Sequence, residues 1–169
     1  MDNRFGSAYE INKAAEELKA KGDEEALVEL AIECGIDRED AEDYMDGAVE
    51  KLCTPLTAAL GKIEAESEAM NLQNEFADLK DELVSCLMDD NMKEKIVIGV
   101  MFKRKSLAEY MAKIIDKGYE KAITPPKEIL AKVTKVPAQY RGQMKTGMPS
   151  KAERMAIMME YFGEKVVVE

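Results

Sequence analysis

Apolar residues recur along this chain three and four positions apart, and nearly every such run is bracketed by residues that start or stop a helix. Ser7 and Glu10 have the S-x-x-E spacing of a capping box, in which each side chain satisfies the other residue's free amide. They predict a helix to about Ala20, stopped by Gly22. Asp23 caps the next helix, whose Ala26, Leu27, Leu30 and Ala31 share a face, and Gly35 ends it. Asp37 then opens a short acidic segment, Arg38 to Asp46, punctuated by Gly47.

The longest periodic region follows. Leu52, Leu56, Ala59, Ile63 and Met70 fall at helical spacing, as do Leu72, Phe76, Leu79, Leu83 and Leu87. They predict two long helices or one bent one, with Pro55 near the start and Asn71 near the join. A packed hairpin fits this spacing better than a coiled coil, which needs more unbroken heptads. Asp89, Asp90 and Asn91 mark the clearest boundary, dividing the chain into regions 1–90 and 91–169. Beyond it, residues 92–102 are apolar and rich in β-branched side chains, so helix and strand both remain open. Ser106 with Glu109 forms a second capping box, opening a helix through Ile114, Ile115 and Tyr119. Thr124 and Pro125 predict a short helix to about Val133, and Pro137 closes that region. Ser150 with Glu153 is a third capping box, before Met155, Ala156, Met158, Met159 and Phe162 on a last helix ended by Gly163. The tail VVVE is left to pair or fray. The expected fold is all-α, a multi-helix bundle.

Charge changes this picture more than composition does. The 169 residues hold 24 Lys and Arg against 34 Asp and Glu, a net charge of −10. Residues 1–90 carry 8 basic and 25 acidic side chains, while residues 91–169 carry 16 basic and 9 acidic, or −17 against +7. Such asymmetry predicts either two surfaces with different partners or two halves that attract each other, in one molecule or across a homodimer. With 46% hydrophobic and 34% charged residues, the composition is that of a folded globular chain. No apolar run reaches the roughly 20 residues of a membrane-spanning helix. No secretion signal is visible at the start, and three widely spaced cysteines fit a reducing compartment such as the cytoplasm.

Chemistry is sparse. The chain has no histidine, which removes the commonest general base and every His-assisted nucleophile. It contains no GxSxG, phosphate-binding or dinucleotide-binding glycine pattern. Cys34, Cys53 and Cys86 lack the close pairs of a zinc site and read as core residues. The run from Ile36 to Gly47 is no calcium loop, because Tyr44 and Cys53 would stand where oxygen ligands are required. The expectation is therefore a non-enzymatic protein without metal or cofactor.

Two charged clusters remain. Glu39, Asp40, Glu42, Asp43 and Asp46 crowd one short helix and turn, as a solvated face or as a patch facing a basic partner. Lys103, Arg104 and Lys105 form a triplet, followed by Lys132, Lys135, Tyr140, Arg141, Lys145, Lys151 and Arg154. That basic set fits either a lysine-rich surface or phosphate contacts by a helix-turn-helix-like C-terminal unit.

Three stretches carry a family likeness: DAEDYMDGAVEKLCTPLTAALGKIE, FKRKSLAEYMAKIIDKGYEKAITPPKEILAKV and PSKAERMAIMMEYFGEK. They resemble small proteins of phages and mobile elements in gut Firmicutes, with Asp40 to Gly47, Thr54 to Leu56 and Lys105 to Leu107 as the matching positions. The chain departs from that pattern at Lys132-Val133-Thr134, where a glycine-containing turn is commoner. Some proteins of that source are anti-CRISPR proteins that inhibit Cas9. The resemblance thus implies an inhibitor that binds a CRISPR effector nuclease, nucleic acid or both. The alternative is a DNA-binding regulator without catalysis.

Overall fold

The structure, a computed structural model, describes residues 7–102 and 105–163. Lys103, Arg104 and the VVVE tail lie outside the described residues. The described part is all-helical: α1 Ala8–Lys21, α2 Glu24–Glu33, α3 Arg38–Asp46, α4 Pro55–Met70 and α5 Glu75–Leu87. The order continues with α6 Lys93–Val97, α7 Leu107–Glu120, α8 Lys127–Leu130, α9 Ala138–Arg141 and α10 Lys151–Gly163. Among the described residues no helix is long and apolar enough to cross a membrane.

Local chemistry accounts for most boundaries. Ser7 and Glu10 close both halves of their capping box, and Ser150 and Glu153 bond reciprocally in the same way. Thr54 accepts from the Thr57 amide in front of Pro55, and Asn71 ends α4 in the left-handed conformation. Between Ser106 and Glu109 only half of the box forms. Ser106 accepts from the Glu109 amide, but the Glu109 carboxylate accepts a hydrogen bond from the Tyr161 hydroxyl at 2.5 Å.

One open segment resolves as helix, and another differs from expectation. Residues 92–102, open between helix and strand, form α6 and then a π-helix over Ile98–Phe102. The last turn of α10 crosses there, and a Cβ on Gly99 would stand 2.8 Å from the Phe162 carbonyl oxygen. The wider turn is also held from outside: Lys62 Nζ donates to the Val100 carbonyl at 2.8 Å. The helix expected from Thr124 to Val133 is only four residues long. Pro126, not Thr124, stands at its N-cap, since a residue before proline is driven out of the helical region. At its end, Lys132 and Val133 bond three residues back and the helix loosens into turns. No helix between α7 and α10 exceeds four residues, so that stretch holds turns where a helix-turn-helix unit would place its second long helix.

Two apolar clusters divide the molecule. One gathers Leu79, Leu83 and Leu87 of α5, Ile96, Val100, Tyr110 and Ile114, and Met158 and Phe162 of α10. The rings of Tyr110, Tyr161 and Phe162 pack at centroid distances of 4.8 to 6.5 Å. The other gathers Ile11, Ala15, Leu27, Ala31, Cys34, Ile36, Ala41, Tyr44, Cys53 and Ala58. The molecule is therefore an α1–α3 lobe seated on an α4–α10 body. The charge boundary near residue 90 is not a packing boundary, because α5 and α6 share the body's core. The lobe ends at the start of α4, and the rest of region 1–90 packs with the body.

Lobe and body meet backbone to backbone. Gly35, with φ +68°, lies against Gly61 in α4, and a Cβ on Gly61 would stand 2.1 Å from the Cys34 carbonyl oxygen. Within the lobe, Asn12 ties α1 to the segment before α4, its side chain donating to the Cys53 carbonyl at 2.8 Å and accepting from the Cys53 amide at 2.9 Å.

Candidate functional site

The five carboxylates singled out on α3 are all exposed: Glu39, Asp40, Glu42, Asp43 and Asp46 occupy the outward arc while Ala41 and Tyr44 turn inward. Glu39 and Asp40 sit in the first turn, where the helix dipole favours negative charge. Asp43 and Asp46 lie toward the opposite end, where the dipole disfavours it and no basic residue stands in the last turn. Local helix stability does not account for these last two.

The acidic surface is wider than α3. Residues 7–58 carry 15 acidic and 5 basic side chains, so the whole net charge of −10 is matched by this lobe alone. Glu16, Glu17, Glu24, Glu25, Glu29 and Glu33 on α1 and α2 are exposed as well. Hydrogen bonding to Glu42 holds the Arg38 guanidinium above its ordinary pKa, with a smaller push from Glu24 of α2. Burial raises the Tyr44 phenol, and Glu16 of α1 adds to it. Glu24 of α2 therefore lies near Arg38, and Glu16 of α1 near Tyr44. Five cations stand against these fifteen acids: Arg38 pairs with Glu42 at 2.8 Å, Lys19 lies 4.5 Å from the centroid of the Tyr44 ring, and Lys13, Lys21 and Lys51 are exposed. The α1 and α2 carboxylates were missed by motif reading. Counting charge element by element would have found them.

The basic positions divide by environment. Lys132, Lys135, Lys145 and Lys151 are exposed and form no ion pair among the described residues, and Lys127 joins them. Tyr140 is 53% exposed. Arg141 is partly covered, its Nε donating to the Val136 carbonyl at 2.9 Å. Lys105 lies 4.7 Å from the centroid of the Tyr161 ring. Arg154 is committed elsewhere: it makes a bidentate pair with Glu82 at 2.7 and 3.2 Å and donates to the Pro149 carbonyl. Most of the exposed lysines ride on one excursion. The Ile123 and Thr146 backbones bond to each other at 2.9 and 3.0 Å, pinching off residues 124–145. Leu130 is the one buried side chain in that stretch.

A cleft of about 610 Å³ opens between α5 and α10. Glu75, Asp78, Glu82, Asp89, Lys151 and Arg154 border it, with Cys86 and Met155 also among its lining residues. Burial pushes the Cys86 thiol up, and Glu82 and Asp89 push it further, so it stays protonated near neutrality and is a poor nucleophile. Cys53 in the lobe is likewise raised by burial to about 11. Among the described residues no cluster of three metal-ligating side chains is present.

No protein family, curated protein or solved structure matches the chain.

Proposed function

We propose that this protein acts by binding, its α1–α3 lobe occupying a basic surface on a macromolecular partner that ordinarily holds nucleic acid. A CRISPR effector nuclease such as Cas9 has such a channel, and the likeness to phage-encoded inhibitors makes it the partner to test. The observation that carries this reading is the placement of the charge. The acidic excess is concentrated on one small lobe, and α3 keeps carboxylates in its last turn although the helix dipole opposes them there. A compact anionic surface attracts a cationic groove over about a Debye length, roughly 8 Å at physiological salt, so association quickens at low salt.

The test neutralises Glu39, Asp40, Glu42, Asp43 and Asp46 together as Gln or Asn in the full chain and measures protection of target DNA from Cas9 cleavage. All five are exposed, so the helical circular dichroism stays that of the parent. Protection by the parent and at least a tenfold loss in the variant supports the reading. Unimpaired cleavage in the presence of a large excess of the parent protein overturns it for this nuclease.

A second reading has its own observation, the unpaired Lys127, Lys132, Lys135, Lys145 and Lys151 around the 124–145 excursion. These would hold phosphates, giving affinity for nucleic acid that falls steeply with salt. A gel shift present at low salt and lost at high salt supports it. No shift at low salt removes it.

A further inference from the structure

An apolar surface lies at the end of α4 away from the acidic lobe. Around α7 the residues fall into three arcs: one faces the body's core, one is charged, and a third is apolar but exposed. The third consists of Ala108, Ala112, Ile115 and Tyr119, spaced four, three and four residues apart, as in the seam of two packed helices. Ile115 is 53% and Tyr119 76% exposed. Met70, Phe76 and Met148 continue the surface with exposures of 37, 39 and 55%, and a groove of about 290 Å³ runs between α5, α7 and residues 145–148. At around 200 Å² for a large side chain, these exposed fractions amount to roughly 500 Å², near the upper end for a patch on a monomer.

We infer that this face is the interface of a homodimer, two copies packing α7 against α7 about a two-fold axis. Three features favour a second copy as the occupant. Joining two such patches buries on the order of 1,000 Å², the size at which specific interfaces begin. The flank of the stripe alternates in sign through Lys113, Asp116, Lys117 and Glu120, and an alternating rim is complementary to its own rotated image. The acidic lobe rests on α4 at Gly61, nine residues or about 14 Å from Met70, farther than the Debye length of roughly 8 Å at physiological salt, so screening weakens the repulsion that the lobes would bring to pairing.

The experiment is sedimentation velocity on the full chain from below one micromolar to tens of micromolar. The mass is expected to rise with concentration from 18.9 kDa to twice that value and stop there. Ile115→Glu and Tyr119→Glu, each at an exposed position, are expected to keep parental circular dichroism while weakening association at least tenfold. Ile129→Glu, at a residue 56% exposed on the excursion, is expected to associate like the parent. A parent that stays monomeric throughout overturns the inference, as does growth beyond two copies. Variants that dimerise normally overturn it too, as does an Ile129→Glu chain as impaired as the other two. A monomer that instead takes up an amphipathic peptide or a lipid vesicle on this face also overturns it.

Discussion

The lobe and the body solve the same packing problem with different materials. Half of the lobe's core consists of small side chains, Ala15, Ala31, Ala41, Ala58, Cys34 and Cys53, set among Ile11, Leu27, Val28, Ile36, Tyr44 and Leu52. The body's core is built from Leu83, Leu87, Ile96, Tyr110, Ile114, Met158 and Phe162. About fifty residues bury too little surface to be secure alone, and this lobe also carries ten uncompensated negative charges. Its stability is therefore borrowed from the body, through Ala58 and the Gly35–Gly61 contact. The difference teaches a division of labour: the body supplies cohesion and the lobe supplies surface.

The largest effect is expected where the two meet. Gly61→Val places branched carbon atoms where the Cys34 carbonyl already stands, and should cost about 3 kcal/mol. Denaturant melts give the total, and hydrogen exchange locates it: protection falls in α1–α3 while α5, α7 and α10 keep theirs. Equal loss in both regions would show a single cooperative unit and break the comparison.

Next come two arginine pairs, one in each region. Arg154→Ala strands Glu82, whose side chain is 15% exposed, and should cost about 2 kcal/mol. Arg38→Ala removes an exposed, solvent-screened pair in the lobe and should leave stability almost unchanged. Similar values for both would contradict the contrast drawn between them.

A smaller loss is gated by acid. Lys121, then the amide and hydroxyl of Ser150, hold the Glu153 carboxyl at about 2, below the ordinary glutamate range. Because the folded value is depressed, this contribution is complete above about pH 4.5 and is lost as pH falls toward 2. Melting Glu153→Gln beside the parent at pH 7 and pH 2.5 checks the sign, since the gap between them must shrink in acid. The smallest effect belongs to Tyr110→Phe. The Tyr110 hydroxyl is buried without a hydrogen-bond partner among the described residues, so its removal should leave stability within about 0.5 kcal/mol or raise it. A clear loss in thermal melts would reveal a partner for it.

Helix starts were legible because capping is local. Ser7, Asp23, Thr54 and Ser150 each satisfy nearby amides within their own segments. Where a distant residue intervenes, local reading falls short. Tyr161 takes the carboxylate that would have completed the box at Glu109, and the C-terminal turn of α10 decides the winding at Gly99. Pro126 was visible, but Thr124 and Pro125 offered an equally local start and the tighter constraint prevailed. The exposed acids of α3 could be named from sequence because a short helix between Gly35 and Gly47 has little inward surface. The role of Arg154 could not, since Glu82 stands 72 positions away. Charge counted along the chain broke at residue 90, whereas charge counted over packed units concentrates in residues 7–58. Only tertiary contacts reveal that second grouping.

The backbone clasp between Ile123 and Thr146 makes the lysine-bearing excursion a detachable part. Paired residues across such a bridge stand only about 5 Å apart, so a tight turn of two or three residues could replace everything between them. Chain surgery at that point would strip away Lys127, Lys132, Lys135 and Lys145 in one step and spare the helices on either side.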